Sequence, residues 1–465
     1  MMTPAYLLLT ALACGGKKAP DLVTLGPVET VTVHDVSVFP ATGPALLAHQ
    51  DVTLRDGKIA AVGPTGQSPP EGRVIEGAGL TLLPGLVDAH VHLTAPVAMP
   101  GTLTTPDPRH SLQAWLAAGV TTVFDMGGPA GMQDRALAKL ASGEDFGPRV
   151  RRTNSPITVP EGHPIPAAEA LLPWPLSSAV RRLVPVIERP EDAEGIVLQA
   201  IADGADAIKI ICDSLPPGAA HIDEARLDAL VKAAHAHDRR AFVHIGREED
   251  ARMAIAAGAD ALVHGVLTSE LSAEGAALIA AARVPVVWTG AAYDNTGRLA
   301  LGHWAPSALD RALHPASLIA TMEGGAGLAF GEAPVVGDFG REVNRWREAW
   351  PGNVARAQAA GVVILAGSDS PLPADLAGSS IHAELAWLHR MGVPAADVLL
   401  GATSRAAALY GDTEYGTVEV GKAADLLLIR GDPLEDIGAT QQIVAVWRAG
   451  QPVNPADPAP AMDTR

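Results

Sequence analysis

The chain has 465 residues and a mass of 47.8 kDa, 48% apolar and 18% charged, which excludes a disordered chain and is more than one small core can absorb. Lys and Arg number 34 against 52 Asp and Glu, a formal net charge of −18. With no basic run beyond pairs such as Arg151-Arg152 and Arg181-Arg182, this argues against a nucleic-acid partner. Two cysteines, Cys14 and Cys212, provide no disulfide framework.

The first element in chain order is the apolar run Ala5-Tyr-Leu-Leu-Leu-Thr-Ala-Leu-Ala13, which is too short to span a bilayer. It fits the apolar region of a secretory signal. With Cys14 and Gly15-Gly16 behind it, the segment resembles a bacterial lipoprotein signal, which implies lipidation of Cys14 and an extracytoplasmic, envelope-anchored protein. Ala11 stands where such signals usually carry Leu, and the alternative reading is an N-terminal strand. Residues 1–27 are therefore expected to be signal and tether, and no later stretch reads as a membrane span. From Val28 the apolar side chains alternate at Val31, Val33, Val36 and Val38, and a second pair of runs flanks Asp56-Gly57, a strong hairpin signal. Residues 28–82 thus read as a small β unit.

Short, fully apolar runs then alternate with Ala-rich stretches of helical period. The runs are Leu86–His92, Val120–Asp125, a weaker one within 150–158, Asp206–Ile211, Ala241–Ile245, Ala261–His264, Val284–Trp288 and Val362–Asp369. Apolar strands alternating with helices indicate a parallel sheet covered on both faces, and eight repeats predict a (β/α)8 TIM barrel over 83–410. β character returns at Gly416–Gly421, Asp425–Ile429 and Ile443–Trp447. Residues 411–453 are expected to join 28–82 in one small discontinuous β-sandwich domain, with 454–465 a frayed tail.

Active sites of such barrels lie at the C-terminal ends of the strands. The predicted strands carry His90 and His92 (two apart, so on one face), Lys209, His244, His264 and Asp369 at or near those ends. Each has an ordinary reading alone: a hydrogen-bonded core histidine, or a helix-capping aspartate. One per strand end, they read as a metal site. Lys209 is one of only 7 lysines against 27 arginines, and it interrupts an apolar strand. Burial would favour its neutral amine, which can take up CO2 to give a carbamate able to bridge two cations. The alternative is a lysine reaching the rim to bind a substrate carboxylate.

Pro84-Gly-Leu-Val-Asp-Ala-His-Val-His92 resembles the opening motif of the metal-dependent amidohydrolase superfamily. The resemblance extends through Gly119-Val-Thr-Thr-Val123, Ala257–Gly265, Ala366-Gly-Ser-Asp369 and Gly421-Lys-Ala-Ala-Asp-Leu426. The ordered set matches the binuclear subtype with a carbamylated lysine. It implies that His90, His92 and Asp369 hold one metal, that His244 and His264 hold the second, and that the CO2-derived carbamate of Lys209 bridges them. The segments Gly147–His163, Asp203–Ile210 and His382-Ala-Glu-Leu385 resemble the prolidase-like, imidazolonepropionase-related branch.

That resemblance implies a hydrolase of C–N bonds in a small molecule, a dipeptide or N-acyl amino acid, cleaved by metal-bridging hydroxide with Asp369 as general base and acid. Two divalent ions are implied, with Zn2+ best suited to the imidazole-rich set and Mn2+ or Fe2+ as alternatives. His163 and Tyr293 are candidates for substrate contact, each also readable as a loop or packing residue. Arg298 reads as surface and His382 as structural. Competing readings are a mononuclear deaminase, a cyclic amide or lactone hydrolase, and a non-catalytic ligand-binding lipoprotein. Deaminases of this kind usually lack the strand-four lysine and carry Glu three residues after the strand-five histidine, where this chain has Arg247. The expected partner is a small-molecule substrate, with membrane contact only through the lipid anchor; a homo-oligomer is compatible with the sequence.

Overall fold

The computed structural model describes residues 21–97, 107–171, 176–323, 331–333 and 335–456. Cys14 and the predicted signal lie outside the described residues. Alternation builds the first unit: β1 (Val23–Leu25), β2 (Val31–Val38), β3 (Leu47–Arg55), β4 (Lys58–Pro64), β5 (Arg73–Glu76) and β6 (Leu80–Pro84). The predicted hairpin forms between β3 and β4, with Arg55 opposite Lys58. Asp56 and Gly57 both take positive φ, 53° and 77°, as a tight two-residue hairpin turn requires.

The apolar runs form β7 (Leu86–Val91), β8 (Val120–Asp125), β9 (Arg149–Arg152), β10 (Ile208–Ile211), β11 (Ala241–His244), β12 (Ala261–Val263), β13 (Val286–Trp288) and β14 (Ile364–Ala366). β7 to β9 make one parallel sheet and β10 to β14 another. Isolated parallel bridges Ile157–Ile210 and Val91–Ser370 lie between the two. Every residue of β7, β8, β10 and β11 is buried, which accounts for the unbroken apolar runs. Helices such as Glu224–Ala236 and Ala273–Ala282 follow their strands. Asp223 and Ser272 cap them by accepting hydrogen bonds from the backbone N–H of Arg226 and Gly275. The result is a TIM-barrel-like α/β arrangement with an additional sheet. No helix among the described residues is long and apolar enough to cross a membrane.

The chain ends with β15 (Leu426–Arg430), β16 (Ile443–Arg448) and β17 (Gln451–Pro455). β15 pairs antiparallel with β6, Leu426 opposite Pro84, so both flanks share one sheet in the order β1-β17-β16-β15-β6-β2-β3-β4, with β5 on β2. The structure departs from the sequence reading in several details. The hydrogen bonds define one nine-stranded sheet rather than two stacked ones. Register shifts in β2, at Val33/Val36 and Val36/Val38, accompany its pairing with β3, β5 and β6. The predicted tether reaches too far, because β1 already pairs with β17. The predicted tail starts too early for the same reason. Gly416–Gly421 forms no strand: both glycines have φ near +90°, which breaks an extended ladder.

One face of the sheet encloses Val33, Val36, Leu54, Leu82, Leu426, Leu428 and Trp447, while Leu83, Leu427 and Ile429 join the core that the strands and helices of the α/β unit share. Leu82 is fully buried. Leu82→Ala should lower stability by about 2–5 kcal/mol, read from the shift of a urea unfolding midpoint at unchanged slope.

Candidate active site

The turn after β14 brings Asp369 to the end of β7. The Asp369 N–H donates to the carbonyl of His90 at 2.7 Å, and the His92 N–H to that of Ser370 at 2.7 Å. Gly367 permits this approach, since a Cβ there would lie 2.7 Å from the Cβ of His90. Buried Asp88 fastens the turn by accepting from the Ser368 backbone N–H at 2.8 Å and the Ser368 hydroxyl at 2.5 Å. Asp369 and His264 both adopt positive φ, 60° and 69°, a strained conformation for residues with side chains. Strain of this kind concentrates where side chains must be aimed.

The imidazoles are aimed by acceptors that fix their tautomers. His92 Nδ1–H donates to the Gly127 carbonyl at 3.0 Å, which leaves the Nε2 lone pair facing Asp369 Oδ1 at 2.8 Å. His90 Nε2 lies 3.2 Å from the same oxygen, and neither ring nitrogen of this buried histidine has a hydrogen-bond partner. His244 Nε2–H donates to Asp213 Oδ2 at 2.8 Å, which leaves Nδ1 as its free lone pair. His264 Nδ1 pairs with Thr289 Oγ1 at 2.6 Å. The rings converge: His90 and His264 have centroids 4.8 Å apart, and His244 and His264 4.1 Å. His90, His92 and Asp369 place their ligand atoms within 4.8 Å of one another.

Lys209 sits in β10 at 2% exposure, and burial pushes its amine down to about 7 although the Asp369 and Asp213 carboxylates oppose this. Burial likewise holds His90 and His264 well below the usual imidazole range, helped by neighbouring cations. Burial acts on His92 in the same direction, but the bond and charge of Asp369 outweigh it and the group ends higher. Four imidazoles, an amine whose charged form burial disfavours and a carboxylate make a divalent-metal donor set, and orphaned ring nitrogens on His90 are what such ions would satisfy.

The remaining candidates also border this cluster. His163 donates Nδ1–H to the Leu215 carbonyl at 2.8 Å and stacks 5.0 Å from His244. Tyr293 lies 5.6 Å from His264 by ring centroids and 5.7 Å from Phe339. Arg298 instead pairs with Asp294 at 3.1 Å, and His382 bonds the Ala118 carbonyl and Thr440, away from the cluster.

Sequence reasoning missed the residues that support the cluster: Asp213 and Thr289, which bond the rings of His244 and His264, Asp88, which anchors the turn after β14, and Asp125, which accepts from the Gly127 N–H behind His92. Asp213 could have been noticed as a carboxylate just past the strand of Lys209. Asp125 closes β8, accepts from Gln133 at 2.6 Å, and is pushed by burial up to about 6. Asp213→Asn should keep the fold but weaken metal retention by about 10- to 100-fold, measured by competition with a chelator, because the Nε2–H of His244 loses its charged acceptor.

Comparison with known proteins agrees with this architecture. Residues 81–454 match the Amidohydrolase family. An adenine deaminase of Paracoccus denitrificans (strain Pd 1222) is 37% identical over 111 residues, 23% of this chain and 16% of the deaminase. An imidazolonepropionase of Symbiobacterium thermophilum is 41% identical over 83 residues, 16% of this chain and 18% of that enzyme. The chain thus aligns with less than a fifth of the length of these curated relatives. Among solved structures, a Xaa-Pro dipeptidase with methionine bound in its active site superposes with a TM-score of 0.73 at 20% identity, covering 91% of this chain and all of the other. The match over most of the chain identifies this protein as a member of the amidohydrolase family, and its fold is shared with that Xaa-Pro dipeptidase.

Proposed function

We propose that this protein is a binuclear metal-dependent hydrolase of the C–N bond in a dipeptide or N-acyl amino acid. In this reading the two parallel sheets and their bridges are one closed eight-stranded barrel, and the β7 and β14 ends share its mouth. The observation that carries the reading is the convergence of His90 and His92 on one oxygen of Asp369, beside a buried lysine and two further ring-oriented histidines.

His90, His92 and Asp369 would hold one divalent cation, His244 and His264 the other, and Lys209, as its carbamate, would join them. Such ions supply Lewis acidity and bring the pKa of a water towards neutrality. The protein's own groups do the rest. The Asp369 carboxylate takes a proton from the attacking water and returns it to the leaving nitrogen, so that the amine departs neutral. Gly127, Asp213 and Thr289 keep the imidazoles in the tautomers that present lone pairs to the site. His163, whose Nδ1–H is committed to the Leu215 carbonyl so that Nε2 is the accepting nitrogen, contacts the substrate from the side of His244. Tyr293, buried against Phe339, closes the opposite wall and excludes water.

Deamination has less support. Arg247 occupies the position three residues after His244 and binds Asp250 at 3.2 Å. Glu248, the next residue, accepts from the Ser272 hydroxyl at 2.9 Å and pairs with Arg252, so it is committed to a helix start outside the cluster.

The test is a hydrolysis screen of dipeptides and N-acyl amino acids with the Zn2+-loaded protein. Release of free amine from at least one substrate class is expected. Silence of a fully metal-loaded protein across the library would overturn the dipeptidase reading in favour of lactones, cyclic amides or ligand binding.

A further inference from the structure

A second group of potential ligands lies behind the first. Cys212 follows β10, His221 stands in the loop before the helix Glu224–Ala236, and Asp250 is in the first turn of the helix Glu248–Ala257. One ligand atom from each lies within 4.8 Å of the others. Cys212 and Asp250 are buried, whereas the His221 side chain is 30% exposed.

The hydrogen bonds within this group repeat those of His92. His221 Nδ1–H donates to the Ile222 carbonyl at 2.6 Å, so the neutral ring turns the Nε2 lone pair outward. That lone pair faces Asp250 Oδ1 at 2.9 Å, two acceptors in direct contact. A proton or a metal cation must lie between them. His92 Nε2 faces Asp369 Oδ1 at 2.8 Å in the same relation. Asp250 is held rigidly for either role, as Oδ2 accepts from the backbone N–H of Gly246 at 3.1 Å and of Arg247 at 2.8 Å. The Arg247 guanidinium reaches Oδ1 at 3.2 Å. A proton alone would satisfy the pair, but it gives no use to the third donor. The Cys212 thiol makes one long contact, 3.9 Å to the Asp250 carbonyl, and is otherwise packed in the core.

We propose that Cys212 Sγ, His221 Nε2 and Asp250 Oδ1 form a separate site for one thiophilic divalent cation of the Zn2+ or Cd2+ class, with water in the remaining position on the exposed side of His221. A sulfur, nitrogen and oxygen set suits a borderline-soft ion. On binding, the Cys212 S–H bond breaks, its proton passes to solvent, and the thiolate forms the metal–sulfur bond with no redox change. The site would brace the catalytic cluster from outside. Cys212 adjoins Asp213, which holds His244, and Asp250 grips Gly246, two residues beyond His244.

Cobalt distinguishes this site from the catalytic cluster, whose ligands include no thiolate. The full chain carrying Cys14→Ser, which removes the only other cysteine, is stripped of metal and refilled with Co2+. A thiolate-to-cobalt charge-transfer band in the near ultraviolet is expected, together with one more bound equivalent than in the same chain with Cys212→Ser. His221→Ala, a change at a partly exposed position, should also abolish the band and lose one equivalent, and it serves if Cys212→Ser does not fold. Absence of the band in the Cys14→Ser chain would leave a proton as the sole bridge and overturn the proposal. Persistence of the band in His221→Ala would overturn the assigned ligand set.

Discussion

Asp369→Asn is expected to lower kcat/KM by about 10³-fold, the scale of a lost general base, with a fold indistinguishable by circular dichroism. The residue is asked to do two things at once. Its Oδ1 meets both His90 and His92, so the carboxylate shapes the proposed metal-binding cluster. In the proposed mechanism it also shuttles a proton between water and the leaving nitrogen. The amide keeps the shape and an oxygen donor, but an amide nitrogen cannot accept a proton. Its backbone hydrogen bond to His90 and the Ser368–Asp88 anchor are untouched, so the β7–β14 junction should survive. The measurement is steady-state hydrolysis of the best substrate from the screen, with metal content determined on the same sample. Near-normal turnover by a metal-replete Asp369→Asn chain would remove Asp369 from the chemistry and assign the proton transfer elsewhere.

Loss of Lys209 should be nearly as damaging, and its cause can be isolated. If the working group is a carbamate, protein purified and reconstituted with metal under CO2-free conditions should show about a hundredfold less activity than protein reconstituted with bicarbonate, and bicarbonate should restore it. Burial at 2% exposure keeps the amine neutral enough to attack CO2. Lys209→Arg retains a cation of similar reach but cannot form the carbamate, because its guanidinium stays charged. It should be inactive and indifferent to bicarbonate. Wild-type activity that ignores CO2 altogether would instead support a lysine acting as a cation towards a substrate carboxylate.

How far these residues could be read from the sequence depended on the kind of signal each one carries. His90 and His92 were visible because they close a fully apolar run two residues apart, and strand geometry puts such residues on one face. Lys209 was visible because a lysine inside Ile-Lys-Ile-Ile is costly to bury without a purpose. Thr289 and Asp125 were not visible. Threonine and aspartate at strand ends are commonplace, and their importance here lies in what they touch, Thr289 on His264 and Asp125 beside His92. The Cys212–His221–Asp250 group was hidden for the same reason, since 38 residues separate its ends.

The sheet shows the same division. Asp56-Gly57 between alternating runs was enough to place a hairpin, because turn chemistry is local. That β1 would pair with β17, extending the ordered sheet beyond both predicted ends, was not a local property. Nor was the choice of a single sheet over two stacked ones, which depends on β6 accepting β15 along one edge and β2 along the other.

The sequence by itself determined the alternation of strand and helix, the placement of His90, His92, His244, His264 and Asp369 at or just past strand ends and the burial of Lys209 within a strand, since these follow from apolar periodicity and desolvation cost. Tertiary structure alone decided which nitrogen of each imidazole faces the cluster. The tautomer depends on acceptors such as the Gly127 carbonyl and Asp213, brought in from neighbouring strands and loops, and hydrogen bonding between distant segments is fixed only when the chain packs.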